Sequence, residues 1–332
     1  MTVFRISGML SAVVLLALTG CSSMSGSGAA VSQGSVGSCH SFVILSLYEE
    51  KLEQEGVSLD LSEKDLFLRV YFRDTSEEQV ILQQLVMAAD RRLPWTFREG
   101  STLKRAAVAV EKYGVLRAEE EPYAYAFKPG LPMRMNQLRA ARVAVYRESS
   151  TLQGRLGRSL TLFEKEAIAR EQYRSLEKNG VIEALKIKAG DRSMVRRFAG
   201  NFAYREMHAQ RGVDRLPHIQ QLLQKGSVAA AVTQYPWNSG RRLHYGHTVV
   251  LRDYDAETDK FMVSNPWWLE SFGRKRYDRV DAKELMRYLD TYGWLEDRRL
   301  VAVGRNGGDE KGFEISMTKN LGGVSGKLHE VW

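Results

Sequence analysis

The hydrophobic pattern of this 332-residue chain changes character near Ser227, and that change limits the architectures open to it. Before Ser227, apolar residues recur at helical spacing. Examples are Phe42-Val43-Ile44-Leu45-Ser46-Leu47-Tyr48-Glu49-Glu50-Lys51-Leu52, the stretch from Ser101 to Tyr113, and the arginine-rich Met135-Asn136-Gln137-Leu138-Arg139-Ala140-Ala141-Arg142. After it come the β-branched and alternating runs Ser227-Val228-Ala229-Ala230-Ala231-Val232, Thr248-Val249-Val250-Leu251 and Phe261-Met262-Val263-Ser264. A helical half followed by a strand-rich half is the pattern of an α+β fold. Gly56 and Gly114 mark predicted helix ends, Ser62 and Asp65 have capping-box spacing, and Lys128-Pro129-Gly130-Leu131-Pro132 reads as a boundary. The expected blocks are 1–20, an export signal; 21–34, a tether; 35–130, a helical lobe; 131–215, a basic helical insertion; 216–303, a β-rich lobe; and 304–332, a tail.

The chain has two cysteines, too few for a disulfide framework. Residues 1–20 carry one positive charge at Arg5 and an apolar stretch from Met9 to Leu18. An apolar core of about a dozen residues falls short of the roughly 20 that cross a bilayer, so a cleaved export signal is expected rather than a membrane helix. The ending Leu18-Thr19-Gly20-Cys21 resembles the bacterial lipobox, whose cysteine takes a lipid and becomes the first mature residue. With Ser22 next, the resemblance implies sorting to the outer membrane of a bacterial cell envelope; the plainer alternative is an ordinary cysteine near a cleavage site. Ser22 to Gly34 reads as a flexible tether reaching at most roughly 40 Å. Net charge is +8, or +7 without the segment that carries Arg5. Such a surface suits anionic lipid headgroups or cell-wall polymer, or simply serves solubility. No basic stretch is interleaved with aromatics in a way that suggests nucleic acid as a partner.

Cys39 is then left alone, and a lone thiol in an oxidising compartment is a hazard unless it has a task. It follows Gln33-Gly34-Ser35-Val36-Gly37-Ser38 and precedes the first helical run. Cys39 is therefore expected at a helix N-terminus, where unpaired N–H groups and the dipole favour a thiolate. The strand-rich half offers partners. His247 opens one apolar strand, Asn265 closes the next, and Asp255-Ala256-Glu257-Thr258-Asp259 lies between, so a hairpin would bring the two together near its open end. An imidazole can take the thiol proton, an Asn carbonyl can fix its tautomer, and an apolar ring such as Trp267 can keep water from that bond.

With those residues in view, the chain resembles the papain-like cysteine peptidases. Gln33 to Phe42 is similar to the family's Gln-Gly-x-Cys-Gly-Ser-Cys-Trp-Ala-Phe, and Leu61-Ser62-Glu63-Lys64-Asp65-Leu66 to its Leu-Ser-Glu-Gln-x-Leu. Glu99-Gly100-Ser101, Lys112-Tyr113-Gly114-Val115 and Glu121-Pro122-Tyr123-Ala124-Tyr125 resemble its Gly-Gly, Tyr-Gly-Ile and Tyr-Pro-Tyr elements. The His247 strand resembles its His-Ala-Val strand and Val263-Ser264-Asn265-Pro266-Trp267 its Lys-Asn-Ser-Trp. The resemblance implies a helical left lobe and an antiparallel β right lobe, here with a helical insertion. It further implies Cys39 as nucleophile, His247 as general base and acid, Asn265 as orienter and Gln33 as oxyanion donor beside the Cys39 N–H. Gly100 would pair with an extended substrate backbone, and Ser38 and Trp267 are expected beside it in substrate binding. The implied activity is peptide-bond hydrolysis without a metal or organic cofactor. The helical insertion together with Lys112-Tyr113-Gly114-Val115 bears a fainter similarity to the bleomycin hydrolase branch, where a chain terminus limits cleavage to peptide ends.

The departures from the family pattern matter too. Val36 replaces a cysteine, His40 a tryptophan, Pro266 a serine and Trp268 a glycine. His40 places a second imidazole beside the thiol, a competing proton acceptor. Only the tether precedes Gln33, so restraint of the site is expected from the insertion or the tail rather than a pro-region. Bland readings stand beside the sharp ones. Asn265 alone would be a turn former, Trp267 a core aromatic, and the arginine-rich helices solvated faces. His244 and His247 have no third ligand at metal-binding spacing, and His208, His218 and His329 read as surface or satisfied histidines. Two rivals to a lipid-anchored peptidase follow: an inert papain-fold binding or scaffold lipoprotein, and a cell-wall amidase or processing peptidase of the same superfamily.

Overall fold

A computed structural model describes residues 33, 36–90, 99–124, 130–209, 213–236, 246–267 and 277–300. The export signal, Cys21, most of the tether, Trp268, His244 and His329, and the tail lie outside them. The described chain runs through α1 (Cys39–Gln54), α2 (Glu63–Phe72), α3 (Glu77–Ala88), α4 (Leu103–Tyr113), α5 (Leu131–Leu156), α6 (Leu162–Lys178), α7 (Val181–Ala184) and α8 (Ser193–Ala199). It continues through β1 (Phe202–His208), α9 (Leu216–Leu223), β2 (Val228–Thr233), β3 (Gly246–Asp255), β4 (Lys260–Ser264), β5 (Tyr277–Asp281), α10 (Ala282–Tyr288) and β6 (Leu289–Asp297). The fold is α+β, with helices packed on an antiparallel sheet ordered β1-β6-β2-β3-β4-β5.

Local chemistry sets the helix ends. Ser62 caps α2 by accepting from the Asp65 N–H at 3.0 Å, Thr102 caps α4, and Thr161 and Glu164 form a reciprocal capping box on α6. The chain leaves α1 through Gly56 and α4 through Gly114, at φ of 80° and 68°, angles that cost glycine little. Pro132 sits in the first turn of α5, where its missing N–H costs nothing.

Strand alternation divides the core across the sheet. On one face Ala229, Val250, Leu295 and Phe202 meet Val43, Ile44, Leu47 and Tyr48 of α1, with α4 and α8 behind. On the other, Val228, Ala230, Val232, Val249, Leu251 and Phe261 pack with Ile219 of α9 and Leu285 of α10. α1 is thus the central helix of the fold, lying on the strands that carry the predicted base.

Two sequence expectations meet corrections. Residues 202–208, read as helical and placed in the insertion, form β1, which pairs with β6 along its whole length. The arginines of α5 are not all solvated either. Arg142 is buried and Arg139 is paired with Glu99, while Leu138 and Val145 of α5 and Ile168 of α6 share one core with Val36, Phe67, Phe72 and Leu85. The 131–178 helices are therefore built into the helical lobe.

Candidate active site

α1 begins at Cys39, as the sequence predicts, and Ser38 holds the cap position without a side-chain capping bond. The Ser38 hydroxyl is used elsewhere: Oγ lies 2.6 Å from Tyr123 Oη, and Tyr123 donates in turn to the Gln33 carbonyl at 2.9 Å. A phenol has one proton to give, so Ser38 is the donor in the first bond. Ser38 is fully buried. Its place is beneath the nucleophile, tying the start of α1 to Gln33.

Gln33 joins the two halves. Its backbone N–H donates to the Pro266 carbonyl at 3.0 Å, next to Asn265, and its Nε2 donates to the Val36 carbonyl at 2.9 Å. That bond uses one of the two amide protons. Gln33, Tyr123 and Ser38 form a continuous link from the Asn265–Trp267 turn to Cys39. Tyr123 is the member of this link that the sequence did not single out as a site residue, although it stands within the Pro-Tyr element.

His247 is the second residue of β3 and Asn265 follows the last residue of β4, so the predicted hairpin is present, with Leu251 opposite Val263 in its register. His247 Nε2 lies 2.8 Å from Asn265 Oδ1, and the Trp267 N–H donates to the same oxygen at 3.0 Å. Two donors converging on one atom identify it as the amide carbonyl and place a proton on Nε2. Nδ1 is then the basic nitrogen of the neutral ring. The Trp267 ring stacks on His247 with centroids 3.8 Å apart and planes 9° from parallel, covering the His–Asn bond. Trp267 thus acts first as a shield, and Asn265 and His247 are both buried.

The sulfur itself lies against Thr248, whose side chain and backbone stabilise its ionised form together with the N–H groups of Cys39 and His40 at the helix start. Strand alternation explains the contact, since Thr248 shares the face of Val250 that looks onto α1. Burial nevertheless outweighs these donors and pushes the Cys39 thiol up. The helix start favours the thiolate and burial opposes it, and with only 9% of the residue exposed, desolvation is the larger of the two effects. Thr248 has no signal of its own in the sequence beyond following His247.

His40, the possible competing base, is fully buried against Phe67. Burial lowers it to about 4, opposed by the Gly37 backbone, so its ring is neutral near pH 7. Gly100 is exposed and stands beside the nucleophile segment. A Cβ at Gly37 would lie 2.8 Å from the Gly100 nitrogen, so the two backbones pass in close contact. The structure therefore gathers Cys39, Gln33, Ser38 and Gly100 at the start of α1, with His247, Asn265 and Trp267 at the adjoining end of β3 and β4. Among the described residues, no three His, Cys, Asp or Glu side chains form a cluster suited to a metal ion, and no helix is long and apolar enough to cross a membrane.

No family model matches the chain, and no curated protein matches it in sequence. Among solved structures it is similar to a cysteine protease of Carica candamarcensis crystallised with E-64, at 13% identity and a TM-score of 0.40, over 82% of this chain and 94% of that one. It is also similar to xylellain, a cysteine protease from Xylella fastidiosa, at 14% identity and a TM-score of 0.45, over 81% and 83%. A third likeness is to a clostridial cysteine protease solved after propeptide cleavage, at 15% identity and a TM-score of 0.37, over 81% of this chain and 55% of that one. Likenesses this distant concern the course of the chain and carry nothing about its chemistry. Nothing in these three singles out the bleomycin hydrolase branch.

Proposed function

We propose that the chain is a papain-like cysteine peptidase of a bacterial cell envelope, held to a membrane through a lipid on Cys21. The observation that carries the reading is the imidazole held at Nε2 by Asn265 and stacked under Trp267, on the strand whose next residue touches the Cys39 sulfur. That arrangement leaves Nδ1 to take the thiol proton, and it has no obvious structural use for a buried His–Asn pair.

The reaction follows from the groups in place. Against the burial that pushes the Cys39 thiol up, its proton moves to His247 to give a thiolate–imidazolium pair as a peptide carbonyl arrives. The sulfur adds to the carbonyl carbon, and the oxygen that gains charge is met by the Cys39 N–H and an amide proton of Gln33. The imidazolium then protonates the leaving amine as the C–N bond breaks, leaving an acyl-enzyme. Water, deprotonated by His247, attacks the thioester, and the carboxylate leaves with the thiol restored.

A second reading has its own observation. A buried thiol with a raised pKa is also what an inert papain-fold scaffold would keep. Incubation of the purified chain with a peptide library and with muropeptides, read by mass spectrometry, separates the readings. The peptidase predicts new peptide termini that disappear in Cys39→Ser and in Asn265→Ala. Cleavage confined to muropeptides would point to the cell-wall amidase, and no cleavage of either to the scaffold.

A further inference from the structure

Glu99 immediately precedes Gly100, and its carboxylate is buried against α5. Arg139 donates from Nε to Glu99 Oε1 at 2.7 Å and from a terminal guanidinium nitrogen to Oε2, the two-pronged arrangement that fixes direction as well as distance. The Arg142 guanidinium lies 4.0 Å from Oε1, is almost fully buried, and donates to Tyr71 Oη at 3.3 Å; Tyr71 donates onward to Gln84 at 2.8 Å. On its other side the Glu99–Gly100 backbone is pressed against Gly37, two residues before Cys39. A buried carboxylate separated from its cations is left with an uncompensated charge, so Glu99 stays where α5 holds it.

We propose that α5 braces the peptide-pairing edge beside the nucleophile, with Arg139 as a positioning residue: by fixing Glu99 it sets the Gly100 backbone at the spacing an extended substrate needs. The proposal deepens the peptidase reading and rests on it. Loss of Arg139 frees the Glu99–Gly100 backbone without touching the sulfur, whose partners come from α1 and from Thr248 of β3.

The test compares two reagents on Cys39 of the full chain. A peptidyl epoxide must pair with Gly100 to react, whereas iodoacetamide needs no pairing. Arg139→Ala is expected to lower the rate with the peptidyl epoxide about tenfold while leaving the iodoacetamide rate within about twofold. Arg139→Lys, which keeps the charge but loses the fork, should fall between. Glu99→Gln should reproduce the loss, and the double variant should be no worse than either single one. Arg158→Ala breaks an ion pair in the turn between α5 and α6 and should leave both rates unchanged. Equal slowing with both reagents, or none with either, overturns the proposal. If the wild-type chain shows no preference for the peptidyl reagent, the peptidase reading fails, and amide exchange at Gly100 and Ser101 then decides the brace. Faster exchange in Arg139→Ala supports it and unchanged exchange overturns it.

Discussion

At the scale of single residues, the site contrasts two buried imidazoles, His247 on β3 and His40 next to the nucleophile in the chain. His247 has a carbonyl to hold its N–H and a ring to shield that bond, whereas His40 is lowered to about 4 by burial against the core. In the unfolded chain His40 returns to about 6.5, so above that pH it is neutral in both states. Between 6.5 and 4 the unfolded state binds the proton first, and stability falls as pH drops through this window, by roughly 3 kcal/mol in total. His40→Leu should therefore flatten the stability-versus-pH profile between those limits, as measured by urea unfolding at a series of pH values. An unchanged slope would mean that His40 is not held neutral. The residue types of the site were legible in the sequence because a thiol before an apolar helix and a His–Asn pair on a hairpin follow local rules. The direction in which burial pushes the Cys39 thiol was not, because it depends on how deeply the third dimension buries it.

At the scale of elements, capping and turn chemistry were readable and long-range pairing was not. The start of α2 follows from Ser62, and the β3–β4 hairpin from its polar turn. β1 was missed because its residues show weak alternation and it takes its strand character from β6, far along the chain. The Arg139–Glu99 pair was equally hidden, since nothing local distinguishes an inward arginine from a solvated one. The link that joins elements at the site is Tyr123, which bonds to Ser38 at the head of α1 and to the Gln33 carbonyl beside the Pro266 turn. Tyr123→Phe removes both bonds from a buried place. It should cost about 1–3 kcal/mol in thermal or chemical unfolding and slow turnover of any peptide substrate found. Full stability in this variant would show that the link is incidental.

At the scale of the whole molecule, the α1 side and the sheet are clamped away from the site as well. Arg252 of β3 donates to Glu50 of α1 at 2.8 Å and to Ser227 at 3.2 Å, and Glu50 also accepts the Ser227 N–H at 2.8 Å. Arg252 is mostly buried, so Arg252→Ala should lower stability by on the order of 3 kcal/mol, read from the urea midpoint. A shift near zero would place the adhesion of the two halves wholly in their apolar contacts. The proposed anchor belongs to this scale too. Cys21→Ser should move the chain from the detergent phase to the aqueous phase in a phase-separation assay and abolish palmitate labelling, and retention in the detergent phase would refute the lipid.

The central claim is that His247 takes the proton of Cys39, and the most direct measurement is the pH dependence of iodoacetamide labelling on the Cys39 peptide in wild type and His247→Ala. Near pH 7 the wild type is predicted to react at least about tenfold faster, with the two profiles converging at high pH, where the thiol ionises unaided. Profiles that superimpose across the whole range would contradict the claim and leave the sulfur without a base.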